Sequence, residues 1–304
     1  MSENPTNKNN FSNNKTEKNQ QQNLPKHTDE STTGHQWDGI SEYNIGAPRW
    51  WLIVWIICII WGVGYWFFYP AIPVPNGNTT GSLKWSKYSQ LDEAQGIVSS
   101  KQAKYLEKIS KLTLSEIQQD KNLLEFALNG GKSAFQQNCS ACHGRGAQGY
   151  KGYPNLNDDD WLWGGKLEDI YTTLLYGIRS GHDKARVNQM PAFGLDKVLK
   201  KDEINATIDY VLSLSNKAKH NAKGEAIFKA NCVACHGNEG KGNRQLGAPN
   251  LTDAIWLYGQ KREDLYQTIY FARNGVMPFW EKRLDDNTIK QLTLYVHSLG
   301  GGEQ

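Results

Sequence analysis

The sequence predicts an all-α chain, one N-terminal transmembrane helix followed by two small helical domains in tandem, and three observations predict it. Residues 50–69 contain no charged side chain, CSACH at 139–143 recurs as CVACH at 232–236, and the residues around these pentapeptides repeat with them. An uncharged apolar run of this length is about 30 Å long as a helix, the thickness of a bilayer's hydrocarbon core. A repeated segment with a shared internal pattern is read as two copies of one structural unit.

C-x-x-C-H is the attachment signature of a c-type haem, in which two thiols bind the porphyrin covalently and the histidine ligates the iron. Cys139, Cys142 and His143 therefore form one haem site, and Cys232, Cys235 and His236 a second. A zinc ribbon would place its two cysteine pairs about 15–20 residues apart. Cys142 and Cys232 are separated by most of a domain. A redox C-x-x-C needs no following histidine and belongs in a strand-rich context. After Met1 the only methionines are Met190, in QMPAF, and Met277, in VMPFW. Each lies downstream of one motif, so Met190 is expected on the first iron and Met277 on the second. A thioether as sixth ligand suits a haem that only carries electrons.

The 34 basic and 31 acidic residues nearly balance, which gives no electrostatic footprint for nucleic acid. Four of the five cysteines are used by the motifs, and Cys58 falls in the apolar run as a small hydrophobe. Residues 1–36 are rich in Asn, Gln, Lys, Ser and Thr, too polar to bury a core, and are expected to be disordered; His27 and His35 are read as solvated. A juxtamembrane segment, 37–48, leads into a transmembrane helix over 49–70, with Trp50, Trp51, Trp66 and Tyr69 near its ends as an interfacial belt. Lys8, Lys15, Lys18, Lys26 and Arg49 precede the span, whereas the first basic residue after it is Lys84. The positive-inside rule then puts the N-terminus in the cytoplasm and the haem motifs in the periplasm of a bacterial inner membrane.

Pro70, Pro73 and Pro75 with Gly77 and Gly81 are expected to form an extended stalk. Surface helices complete the segment 71–128, with Thr113 as an N-cap ahead of Glu116. Two cytochrome c domains follow, 129–216 and 217–304. GKSAFQQNCSACHG aligns with GEAIFKANCVACHG, and Pro154, Trp161 and Arg179 align with Pro249, Trp256 and Arg273. The Pro154 and Pro249 carbonyls are the candidate acceptors for the second ring nitrogen of each motif histidine. Arg179, Arg273, Trp161 and Trp256 are candidate donors to haem propionates, with core packing the alternative for the tryptophans. Asp158, Asp159 and Asp160 read as a solvated loop. His182, which has no counterpart in the second repeat, is a surface or propionate-side residue and a secondary candidate for the first iron. His220 and His297 are read as structural.

A polar arm, WDGI-x-EYN ahead of PRWW, one span ending in YPAIP, a stalk and two C-x-x-C-H units with QMPAF and VMPFW occur in that order. This order resembles the dihaem subunit III (CcoP or FixP type) of cbb3-type cytochrome c oxidases, over residue 37 to about residue 300. The resemblance implies a membrane-anchored subunit with two covalently bound haem c groups. It would relay electrons from a periplasmic or membrane-bound cytochrome c, through a monohaem subunit, to an oxygen-reducing, proton-pumping catalytic subunit. By itself it would be no oxidase. The alternatives are a free-standing dihaem carrier of the cytochrome c4 kind and a dihaem peroxidase, which needs a five-coordinate iron.

Overall fold

Asp38 and Gly39 both have positive φ, 49° and 85°, and form the two-residue turn of a hairpin near the start of the computed structural model, which describes residues 32–303. This Asp-Gly turn favours the twist of antiparallel strands. It joins β1 (Thr32–Trp37) to β2 (Ile40–Tyr43), with Trp37 opposite Ile40 and Gln36 opposite Ser41. The expected disorder is thereby corrected over 32–36, where His35 lies exposed on β1. The remainder of the arm, with His27, lies outside the described residues.

Helix α1 (Arg49–Phe68) starts behind Pro48, whose carbonyl accepts from the Trp51 and Leu52 amides. Its large apolar side chains are exposed on every face, and by length and composition it can cross a membrane. The stalk is not extended as expected. The short strands β3 (Pro73–Val74) and β4 (Gly77–Asn78) pair, and the Ser82 and Leu83 amides return to the Phe67 and Phe68 carbonyls at the end of α1. Gly81 permits this: its φ is +64°, and a Cβ there would lie 2.4 Å from the Phe68 oxygen.

Helix α2 (Lys87–Lys111) contains the division of the chain into two units, one ending at Ala94 and the other starting at Gln95. In the second unit, α3 (Leu114–Gln119) begins with a complete capping box: the Thr113 amide donates to Glu116 at 2.8 Å, and the Glu116 amide to Thr113 at 3.3 Å. Then come α4 (Lys121–Asn138), the single turn α5 (Ser140–His143), α6 (Leu167–Tyr176) and α7 (Lys201–Leu214). The second repeat supplies α8 (Ala222–Asn231), the single turn α9 (Val233–His236), α10 (Arg262–Phe271) and α11 (Asp286–His297).

The principal helix contacts cross between the repeats. Helix α4 packs against α11, and α8 packs against α7, so the closing helix of each repeat lies on the opening helix of the other. Gly131 and Gly224, at matching offsets before Cys139 and Cys232, mark the two crossings. A Cβ on Gly131 would meet the Gln291 oxygen at 2.2 Å, and one on Gly224 the Ala206 oxygen at 2.0 Å. Two cores result. One joins Phe135, Cys139, Ile170 and Leu174 to Trp280, Ile289, Leu292 and Val296. The other consists of two clusters, Ile204, Ile208, Leu265 and Ile269 in one and Tyr210, Val211 and Phe228 in the second, with Trp256 packed against both. A satellite cluster of Ile109, Ile117, Leu123 and Leu294 seats the end of α2 and α3 on α4 and α11, with the Lys290 ammonium 3.0 Å from the Ile109 carbonyl. The α4–α11 and α7–α8 contacts run across the division at 216 and 217.

Candidate haem sites

Each motif forms one helical turn. The Cys139 amide closes α4 on the Phe135 carbonyl at 2.8 Å, and the Cys142 and His143 amides return to the Cys139 carbonyl at 3.1 and 2.9 Å. The equivalent bonds at Cys232, Cys235 and His236 have lengths of 2.8, 3.1 and 2.9 Å. Three side chains are thus fixed on one short arc. Burial pushes the Cys139 and Cys232 thiols up to about 11, reinforced by the neighbouring motif cysteine.

His143 Nδ1 lies 3.1 Å from the Pro154 oxygen, and His236 Nδ1 3.0 Å from the Pro249 oxygen. A carbonyl can only accept, so Nδ1 carries the proton and Nε2 keeps a free lone pair for a metal. Burial lowers both imidazole pKa values, against the opposing effect of these hydrogen bonds, and favours the neutral ligating form. Two glycines that the sequence reading passed over shape these loops. Gly149 and Gly242 each follow their histidine by six residues, donate to its carbonyl at 2.8 and 2.9 Å, and have φ of +68° and +81°. A Cβ on either would lie 2.4 Å from a backbone oxygen. Their equal spacing in the two repeats was the available signal.

The methionines pack across the repeats as the helices do. Met277 packs on the core that contains Cys139, with its amide and carbonyl each 3.0 Å from their partners on Ile178. Met190 packs on the cluster of Ile204, Ile208, Leu265 and Ile269. Trp256 links that cluster to the one holding Cys232. The sequence-based expectation pairs each methionine with the motif before it; the packing sets Met277 beside the first motif's core instead. Two thiols within one turn, a neutral imidazole with a free nitrogen, a thioether and apolar walls fit a c-type haem at each place.

The expected propionate donors have partners in the chain itself. The single indole N–H of Trp161 goes to the Gly301 carbonyl at 2.5 Å, and that of Trp256 to the Asp253 carbonyl at 3.2 Å. Arg273 bonds the Asp264 carbonyl at 2.7 Å and the Thr268 hydroxyl at 2.6 Å. Arg179 bonds the carbonyls of Gly275 and Asn188 at 2.7 and 2.8 Å. Both ring nitrogens of His182 are engaged, one accepting from the Lys184 amide at 3.0 Å and the other 3.1 Å from Glu281. His220 sits 3.0 Å from Glu225, and His297 2.9 Å from the Glu303 carbonyl. Cys58 is exposed on α1.

The acidic run is less solvated than expected. Burial first, then Asp253 and Asp158, push the Asp160 carboxyl up from its ordinary 3.8 to about 6, while Arg244 opposes them. A folded-state pKa above the unfolded value means that the folded state binds the proton more tightly. Its stabilising contribution is complete below the ordinary value and is lost as pH rises through about 6. Asp160→Asn should therefore raise stability at pH 8 by about 1–2 kcal/mol after solvent screening, and change little at pH 3.5. Thermal unfolding of the detergent-solubilised chain at both pH values checks this; an equal gain at both would remove ionisation as the cause.

A family model described as the N-terminal domain of cytochrome oxidase-cbb3, FixP, matches residues 29–76. A second, described as cytochrome c oxidase, cbb3-type, subunit III, matches twice, at 126–211 and 219–296. The chain is 50% identical over 277 residues to the Cbb3-type cytochrome c oxidase subunit FixP of Bradyrhizobium diazoefficiens, covering 90% of this chain and 96% of that protein. It is 48% identical over 283 residues to the subunit CcoP of an Azospirillum species, covering 90% and 96%. Against the CcoP of Cereibacter sphaeroides it is 46% identical over 276 residues, covering 90% and 95%. Among solved structures, a chain of the Kuenenia stuttgartiensis reducing HAO-like protein complex is 19% identical and covers 56% of this chain and 96% of its own length, with a TM-score of only 0.16.

Proposed function

The chain belongs to the FixP/CcoP family, subunit III of cbb3-type cytochrome c oxidases, and from that premise we propose that it carries two covalently bound haem c groups and relays electrons within the oxidase. It is a membrane-associated part of that complex, and its cytochrome c domains are those of a c-type haem protein. Subunit III membership replaces the free-standing carrier and the peroxidase as readings of the chain.

A c-type haem supplies one-electron redox chemistry, here between a periplasmic or membrane-bound cytochrome c donor and the monohaem and catalytic subunits. The residues of this chain bind and orient. Cys139 and Cys142 would hold the first group and Cys232 and Cys235 the second. His143 and Met277 would hold the first iron, and His236 and Met190 the second. Pro154 and Pro249 keep each imidazole in the ligating tautomer. A His and a Met holding each iron would leave no position for oxygen, whose reduction would take place elsewhere in the complex. The observation that supports this reading is the packing of Met277 on the core that contains Cys139, with Met190 on the cluster that Trp256 joins to the one beside Cys232.

Helix α1 would cross the bacterial inner membrane with the N-terminus in the cytoplasm, because basic residues cluster before it. A tether needs only length and hydrophobicity. This chain adds the β1–β2 hairpin and, on α1, Gly62 and Gly64, which have open space where a Cβ would go. Small residues of this kind allow close helix approach. Residues 37–69 would therefore dock on the catalytic subunit. Deleting 37–48 and replacing 50–69 by an unrelated apolar span should leave two haems per chain and membrane location intact, while the oxidase no longer co-purifies and oxygen uptake falls. A chimera that assembles and turns over normally would place the docking contacts in the haem domains.

A further inference from the structure

Ile178 and Arg179 lie between the two methionine segments. On one side Ile178 exchanges backbone hydrogen bonds with Met277, both 3.0 Å long; on the other the Arg179 amide donates to the Arg186 carbonyl at 2.8 Å. The Arg179 side chain spans the same gap. Its Nε donates to the Gly275 carbonyl at 2.7 Å and its Nη1 to the Asn188 carbonyl at 2.8 Å. Each acceptor stands two residues before a methionine, Gly275 before Met277 and Asn188 before Met190. The segments also touch directly, through the Asn274 side-chain amide 3.4 Å from the Met190 carbonyl.

We propose that Arg179 is a positioning residue shared by both haem sites, its guanidinium clamping the Met190 and Met277 loops into one mechanical unit. The inference rests on reading those methionines as the axial ligands. A guanidinium presents its donors in a rigid planar fork, so fixing one loop fixes the direction offered to the other. The backbone of Arg179 is held at φ +50°, a conformation unfavourable for a residue with a Cβ. The repeat supplies an internal control. Arg273, the aligned arginine, directs its hydrogen bonds to Tyr258, Asp264 and Thr268, all within its own repeat.

The consequence is a coupling of the two irons' sixth ligands. Loss of the Arg179 fork would release both loops at once, through the two hydrogen bonds to Gly275 and Asn188, and the two potentials would shift together.

The test uses the full chain in the purified oxidase. Met190→His and Met277→His are measured first, each expected to remove about half of the near-infrared sulfur-to-iron band that reports methionine ligation. If the wild type lacks that band, or neither variant changes it, the ligand reading itself fails. With the reading secure, Arg179→Asn tests the clamp, because asparagine tolerates positive φ while lacking the fork. Both halves of the band should weaken, both midpoint potentials should fall, and amide exchange should rise about tenfold in both 186–190 and 275–279, the scale of one charge-assisted hydrogen bond lost per loop. Arg273→Gln should leave exchange at 186–190 unchanged. A shift at one site alone, or a lower melting temperature with both bands and potentials intact, overturns the proposal. If Arg179→Asn fails to mature, Arg179→Lys keeps the charge without the fork and should show the two-site shift at lower amplitude; wild-type behaviour of both sites in that variant also overturns it.

Discussion

In a chain whose second motif is disabled by Cys232→Ser and Cys235→Ser, Met277→His abolishes the sulfur-to-iron band of the remaining haem and lowers its potential on the order of 0.2–0.4 V, while Met190→His leaves both nearly unchanged. That is the expected result of the exchanged packing, in which Met277 shares a core with Cys139, Phe135 and Ile170. A thioether favours ferrous iron, and axial ligand identity moves haem potentials over about 0.8 V. The sequential pairing of Met190 with His143 requires the opposite outcome, so the experiment separates the two without ambiguity. The reciprocal chain, with Cys139→Ser and Cys142→Ser, should respond to Met190→His alone. Potentiometric titration with near-infrared spectra is sufficient in each case.

The second large effect is expected at the helix crossings. Gly131→Val places a branched side chain where even a Cβ would lie 2.2 Å from the Gln291 oxygen and 2.7 Å from the Tyr295 Cβ. Gly224→Val does the same against the Ala206 oxygen at 2.0 Å and the Tyr210 Cβ at 2.9 Å. Overpacking in a close-packed interior costs about 1–3 kcal/mol, and backbone cannot rotate away as a side chain can. Each substitution should therefore cost about 3 kcal/mol, or roughly 6–12 °C in melting temperature for a unit of this size. The haem affected identifies the interface. Gly131→Val separates α4 from α11 and should loosen the Cys139 site, whereas Gly224→Val separates α8 from α7 and should loosen the Cys232 site. Methionine-band intensity measured before and after mild heating reads each site. Equal loss at both sites from either variant would show that the two cores unfold as one.

Features confined to a few neighbouring residues were decided by the sequence alone. The C-x-x-C-H spacing closes within one helical turn, so two thiols and an imidazole are grouped whatever the rest of the chain does. The apolar run determined α1 by composition, and Thr113 with Glu116 determined the start of α3. The β1–β2 hairpin was equally local. Its Asp-Gly turn stands in WDGI, where the polarity of the preceding arm masks the strand pattern. Tertiary structure alone decided which closing helix lies on each opening helix and which cluster each methionine packs on. The two repeats carry the same apolar positions and the same crossing glycine, so either closing helix could lie on either opening helix by pattern. Contacts far apart in sequence break that degeneracy: the pairing of Ile178 with Met277, the Arg179 bridge from Asn188 to Gly275, and the packing of α11 on α4 beside α3. None of these is a property of a local segment, because each depends on the paths of the 177–200 and 272–285 connections past one another.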